Sequence, residues 1–423
     1  MNSSPTVDHL ADNIKKRNKS KILSKFFKKG LKRKLKHLSI GYITIIDENE
    51  EYSFGEKKSE FKASLVVHSQ EFYILIGSGG AMGLAEAYML GYWSSEDVLS
   101  LMRIVIKNRN VLLSLNKGFS KLFSPINKII HWTKQNTISG SKKNIIAHYD
   151  LSNDFYKLWL DPSMTYSCAF FKNNDTSLEE ASIEKIDRIC RKLNLSEKDS
   201  VLEIGTGWGS FAIYAAKKYG CSITTTTISD NQYKYAKSLI EKEGLGDKIE
   251  LVNKDYRELN GQYDKVVSIE MIEAIGYQYV EMFFSKLSSL LKTNGLIGLQ
   301  GITYNDQNFD TFKDSVDFIK KYIFPGSCLI SIAQIINVLK SKTDLAMIDM
   351  EDITRHYPVT LKKWRENFMS VVPEVKKMGY SQSFINMWEY YFLYCEAGFL
   401  ERNIGDFQLV FAKSGARDVN VVY

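Results

Sequence analysis

Two glutamates, Glu270 and Glu273, stand three residues apart in the apolar run SIEMIEAIG (268–276), directly after the strand-like VVSI. Burying a carboxylate among Ile, Met and Ala is costly unless a donor or a cation offsets its charge. A pair in that setting raises the question of whether either carboxylate does chemistry, and which. A second feature lies upstream, in VLEIGTGWGS. Gly205, Gly207 and Gly209 follow one apolar strand and precede the helical stretch FAIYAAKKYG. Glycines there let the backbone approach a ligand that a Cβ would exclude. The spacing is G-x-G-x-G, not the G-x-G-x-x-G of dinucleotide sites. Glu203, two places before the first glycine, would repel a pyrophosphate and tolerate a neutral or cationic ligand.

The elements that must position these residues are legible from the pattern. Strands are expected over 200–205, 222–228, 248–253, 264–270 and 295–303, with helical stretches between them. Strand and helix alternating at this interval indicate a mostly parallel sheet covered on both faces. Ligands on such sheets bind at the carboxyl ends of the strands. SIEMIEAIG and the glycine loop both fall there.

Around this sheet the chain is long. Its 423 residues, 44% apolar and 25% charged, describe a globular protein with a sizeable core. No apolar run approaches the length of a membrane span, and the N-terminus has no apolar segment typical of a secretory signal. The five cysteines are scattered without a CxxC pair, which argues against a disulfide framework or a structural zinc site. The net charge of +7 is unevenly spread: residues 1–46 carry twelve Lys or Arg and two Asp, leaving the rest slightly acidic. In that arm Ile22, Leu23, Phe26, Phe27, Leu31, Leu35 and Leu38 recur at helical spacing among lysines. A basic amphipathic helix reads as a surface for anionic lipid or for a partner, or as a solvated helix covering its own core. No RNA-binding aromatic motif or helix-turn-helix pattern supports nucleic acid. The expected organisation is a basic arm over 1–38, an accessory domain over 39–120, a linker over 121–143 and a catalytic domain over 144–423.

The acid–glycine loop resembles motif I of class I S-adenosylmethionine (SAM) methyltransferases. HYDLSNDFYKLWLDPSMTYSCAFF (148–171) precedes it, and TISDNQ (227–232), KDYREL (254–259), LQGIT (299–303), KYIFPGSCLIS (321–331), HYPVTLKKWRENF (356–368) and YYFLYCEAGFLERNIGDFQLVFAK (390–413) follow in order. Together with SIEMIEAIG and GSGGAMGLAEAYMLGYW they resemble the cyclopropane-fatty-acyl-phospholipid synthase family over about residues 70–413. The resemblance implies an α/β fold: a Rossmann-like seven-stranded class I methyltransferase domain with a smaller N-terminal α+β domain.

By the same resemblance Tyr166, Ser167, Glu203, Gly205, Gly207, Gly209, Thr227, Ile228, Gln232, Tyr256 and Arg257 contact SAM. Family members hold a bicarbonate ion beside the methyl group, and the matching positions are Cys168, Glu273, Gln300, Ile302 and Tyr357. Glu273 would hold the bicarbonate hydroxyl, while Gln300 and Tyr357 donate to the anion. Other branches carry His where Gln300 stands. Cys395 matches a position marked as an active-site candidate. His148 is expected either in a lid over SAM or as a hydrogen-bonded surface or core residue; His356, which precedes Tyr357, has the same surface or core alternative. Glu270 falls where relatives vary; it is expected at the strand end, facing solvent or a basic partner, and tolerant of Gln.

The implied activity is methylene transfer from SAM to the cis double bond of unsaturated phospholipid acyl chains. A carbocation forms and loses a proton to bicarbonate. Alternatives are a methyl-branched product, methylation of a small molecule, or a membrane-binding scaffold without catalysis. Family relatives of this length often form homodimers, and the same is expected here; the scattered cysteines fit a reducing cytoplasm, and the basic arm points to peripheral association with an anionic membrane surface.

Overall fold

The computed structural model describes residues 21–48, 50–109 and 151–417. These form two compact units. The first takes the residues before 110 together with Val316–Ile323 and Leu361–Asn403. The second takes 151–315, Phe324–Thr360 and the residues from Ile404 onward. The helix His356–Ser370 begins in the second unit and continues into the first.

In the first unit, strands β1 (Tyr42–Asp47), β2 (Glu50–Gly55), β3 (Lys62–Val67) and β4 (Trp93–Ser94) form a sheet in the order β2-β1-β3-β4. Alternate residues of β1 and β3 point inward, placing Ile43, Ile45, Ala63 and Leu65 in the core. The GSGG stretch (77–80) ends the helix Glu71–Gly79, and Gly80 separates it from the helix Ala81–Met89. Gly83 is required by close approach: a Cβ there would lie 1.9 Å from the Leu75 carbonyl oxygen. The aromatic helix Gln382–Leu400 belongs to this unit and packs on the helices Val98–Lys107 and Ala81–Met89. Tyr88 donates to Glu389 at 2.8 Å, and Arg103 pairs with Glu401 at 2.6 Å.

The basic arm yields the helix Lys21–Leu35. It is neither wholly free nor wholly absorbed. Leu31 and Leu35 are buried, and Lys28 pairs with Asp47 at 2.6 Å. Ile22 and Phe26 instead remain 82% and 60% exposed.

The second unit holds the sheet that carries the chemistry. Its strands are β5 (Ser200–Ile204), β6 (Ser222–Thr226), β7 (Ile249–Val252), β8 (Tyr263–Ile269), β9 (Leu291–Tyr304), β10 (Leu345–Asp352) and β11 (Ile404–Lys413). Among the described residues they form one seven-stranded sheet, ordered β10-β11-β9-β8-β5-β6-β7. The pairs from β9 to β7 are parallel, and β11 runs antiparallel to both β9 and β10. All five expected strands are present. The central strands β5, β8 and β9 carry runs of consecutive buried residues, so they read as near-continuous apolar runs. Val201, Leu202, Val266, Val267, Ile297 and Leu299 form the centre of the core. The strand order reverses between β5 and β8, which opens a crevice at their carboxyl ends. Among the described residues no helix is long and apolar enough to cross a membrane.

Candidate active site

The glycine loop leaves β5 at that crevice. Gly205, Gly207 and Gly209 have φ of 99°, 54° and 97°, a left-handed region that favours glycine. The amides of Gly205 and Thr206 donate to the Thr226 carbonyl, at 3.1 and 3.0 Å, tying the loop to the end of β6. Nothing lies within 4 Å of a Cβ built on Gly207, so a ligand can approach the backbone there. A Cβ built on Gly205 would lie 3.2 Å from the Met271 side chain. The loop therefore abuts the segment that holds Glu270 and Glu273.

The other residues expected at SAM flank this loop. Glu203 is buried and accepts from the Thr225 hydroxyl at 2.6 Å, and Thr225 meets Thr206 at 2.7 Å. Burial pushes the Glu203 carboxyl up to about 8. Thr227 donates to Gln232 at 2.9 Å, beside Ile228. Tyr256 is buried with its ring edge-on to Phe283, while Asp255 grips the Arg257 guanidinium at 2.7 and 2.6 Å. Tyr166 sits among the rings of Tyr156, Trp159 and Phe324. Ser167 accepts from the buried Lys185 ammonium at 2.7 Å. A left-handed glycine loop, open at Gly207 and lacking a basic residue between Glu203 and Ser210, fits a cationic nucleoside such as SAM.

The carboxylates overturn one expectation. Glu270 stands at the end of β8, half-buried rather than open to solvent, and its hydrogen-bond partners are neutral donors, not a basic side chain. Its Oε1 accepts from the Cys168 backbone amide at 2.7 Å and from the Gln300 amide at 2.8 Å. Its Oε2 accepts from the Tyr357 hydroxyl at 2.6 Å. Glu270 has φ of 47°, uncommon for a residue with a side chain. Such strain persists only where the surroundings over-determine it; here three donors hold the side chain. Glu273 accepts from the Ile302 amide through Oε1, while its Oε2 is buried without a hydrogen-bond partner. Burial, and then the charge of Glu270, push Glu273 up to about 8. Burial also raises Glu270, against the pull of its donors.

Two residues complete this cluster that the sequence did not single out. Asp406, on β11, receives the second Gln300 N–H at 3.0 Å. Burial and the charges of Glu270 and Glu273 raise its carboxyl well above the ordinary range. Lys185, on the helix Leu178–Lys192, is buried, and Glu270 is the strongest charge favouring its ammonium form. Burial lowers Lys185 nonetheless. The available signals were a lysine on the core face of an amphipathic helix and an Asp–x–Gln alternation in an apolar strand. Neither pattern is specific.

The structure thus brings together Cys168, Glu270, Glu273, Gln300, Ile302 and Tyr357. Cys168 contributes its amide; burial pushes its thiol well up, and the sulfur donates to the Ala169 carbonyl at 3.3 Å. Cys395 belongs to the other unit. Burial and Asp317 raise its thiol as well, holding it in a form that is a poor nucleophile. His356 accepts from the Phe171 amide at 3.2 Å with its ring 4.1 Å from Phe170. Burial, then Arg355, lowers it to about 4, so it is a neutral packed residue. His148 lies outside the described residues.

A bicarbonate ion does not fit this arrangement. Its expected donors are Cys168, Gln300, Ile302 and Tyr357, and each already donates to Glu270 or Glu273. An added anion would meet the carboxyl groups of Glu270 and Glu273, and none of these four donors is left for it.

Comparison with known proteins adds the family. The family model described as mycolic acid cyclopropane synthetase matches residues 136–409. Cyclopropane-fatty-acyl-phospholipid synthase of Escherichia coli K12 is 34% identical, over 83% of this chain and 88% of its own length. Tuberculostearic acid methyltransferase UfaA1 of Mycobacterium tuberculosis is 35% identical, over 80% and 81%. Among solved structures, cyclopropane synthase MmaA2 of Mycobacterium tuberculosis matches with a TM-score of 0.60 and 29% identity, over 64% of this chain and 98% of that one.

Proposed function

This chain belongs to the mycolic acid cyclopropane synthetase family, and from that premise we propose that it closes a cyclopropane ring on the cis double bond of an unsaturated phospholipid acyl chain. It is a SAM-dependent methyltransferase that modifies lipid; the phospholipid and the ring are the finer reading. The observation that carries it is the meeting of the glycine loop with the carboxylate segment at Gly205 and Met271. When bound, SAM supplies an electrophilic methyl group on a sulfonium centre.

The chain's own residues supply the rest. The loop and the Thr227–Gln232 pair orient the donor, since an alkene is a weak nucleophile and alignment must lower much of the barrier. Buried apolar neighbours such as Ile272 and Ile275 keep water from a cationic acyl chain. The helix Lys21–Leu35, with Ile22 and Phe26 exposed beside its lysines, supports attachment to an anionic membrane surface from the cytoplasmic side. A homodimer would place two such helices on one bilayer and raise avidity.

A methyl-branched product is the second reading, favoured by the relative named tuberculostearic acid methyltransferase. Both readings share the methyl transfer and part at the fate of the cation. The purified chain, given SAM and vesicles of unsaturated phospholipid, should add one CH2 to the acyl chains. Product NMR should then show upfield ring protons. No mass gain, under conditions where SAM binds, would refute the lipid reading; an added CH2 without ring protons would move the assignment to the branched product.

A further inference from the structure

We infer that Glu270 is this protein's own anion in the seat that the family resemblance gives to bicarbonate, and that its carboxylate receives the proton released when the ring closes. The inference rests on the reaction proposed above. A backbone amide and a phenol each carry one hydrogen, and those of Cys168 and Tyr357 are directed at Glu270. The Gln300 amide has two, and they go to Glu270 and Asp406. The donor set is therefore complete around a carboxylate that is covalently part of the chain.

Several features suit Glu270 to this place. Its left-handed backbone, one residue beyond β8, is held by contacts from three separate segments. Lys185 is a buried amine among groups that are otherwise acidic, and Glu270 is the strongest charge favouring its ammonium form. Oε1 has two donors, whereas Oε2 has the Tyr357 hydroxyl and keeps a lone pair for a proton. Glu273, with its unpartnered Oε2, is a second carboxyl coupled to the first by charge.

The step balances without another reagent. The alkene π pair forms a bond to the methyl carbon, and the C–S pair leaves on sulfur as S-adenosylhomocysteine. The neighbouring acyl carbon is left positive. Glu270 Oε2 then takes a proton from the added methyl group, and that C–H pair closes the second C–C bond. Positive charge on the chain and negative charge on Glu270 disappear together. The carboxylic acid returns its proton to water once product has left.

The test compares the full-length protein with Glu270→Gly and Glu270→Gln in CO2-purged buffer and in buffer with added bicarbonate. Glycine is chosen because it adopts the left-handed backbone without strain and leaves the seat open. Wild-type turnover should change by less than about twofold with bicarbonate, while Glu270→Gln should lose on the order of a hundredfold. Titration with 13C-bicarbonate, followed by NMR line width, should show no saturable binding to wild type and saturable binding to Glu270→Gly. This arm decides the inference even if no lipid product forms, a result that would instead refute the reaction proposed above. Saturable bicarbonate binding to wild type, strong stimulation of wild type by bicarbonate, or full turnover by Glu270→Gln would each overturn it. Should the glycine variant fail to fold, the wild-type and Gln arms still decide.

Discussion

Tyr357 donates its hydroxyl to Glu270 across 2.6 Å, joining the first turn of the helix His356–Ser370 to the end of β8. This bond sets the orientation of Glu270 Oε2. Tyr357→Phe removes it while keeping the ring, and should lower turnover by roughly ten- to a hundredfold. SAM affinity, measured by calorimetry, should stay within about threefold, because the hydroxyl donates to the Glu270 carboxylate. Parallel losses in turnover and SAM affinity would place Tyr357 in the cofactor site instead.

Lys185 is the buried amine of the cluster. Removing it leaves Glu270 without compensating charge and Ser167 without its donor. Leaving a buried polar group without its partner typically costs ~1–3 kcal/mol. Lys185→Met should therefore lower the urea midpoint markedly. A variant as stable as wild type would show that the carboxylates are neutralised by other means.

Buried acids also predict a pH dependence of stability. Glu203 is pushed from 4.5 up to about 8 by burial. In the unfolded chain it loses its proton near 4.5, so between about 4.5 and 8 the native state holds the extra proton. Its contribution to stability is full below that window and is lost as pH rises through it. Glu203→Gln can keep an oxygen to accept from Thr225 but does not titrate. Urea unfolding should show the variant losing less stability than wild type as pH rises through the window. Identical slopes would mean that Glu203 is already ionised when folded.

The amphipathic helix offers a sharper membrane test than deleting the arm. Truncation at residue 36 would remove Leu31 and Leu35 from the first unit's core and the Lys28–Asp47 pair with them. Replacing exposed Ile22 and Phe26 by Ser leaves those contacts in place. Each large apolar side chain withdrawn from water contributes ~1.5–3 kcal/mol, so pelleting with anionic vesicles should weaken on the order of tenfold or more. Thermal stability should be unchanged. Undiminished pelleting would assign the helix another role.

What the sequence determined by itself was local. Apolar runs of strand length, separated by amphipathic helices, specify a parallel sheet because each strand must bury both faces. The spacing of Gly205, Gly207 and Gly209 is equally readable, since few other residues sustain three positive φ angles in one turn. What only the tertiary structure decided is which side chains meet. Gln300 and Gln408 face one another because β11 runs antiparallel to β9, and no local pattern states that register. The segment Leu361–Asn403 likewise groups with the first unit despite lying between β10 and β11. Glu270 is the plainest case. In sequence it is the acid at a strand end, a place that ordinarily meets water. Donors from residues 168, 300 and 357 converge on it in the folded chain. The partners of a carboxylate are set by long-range packing, and they decide whether it is solvated or does chemistry.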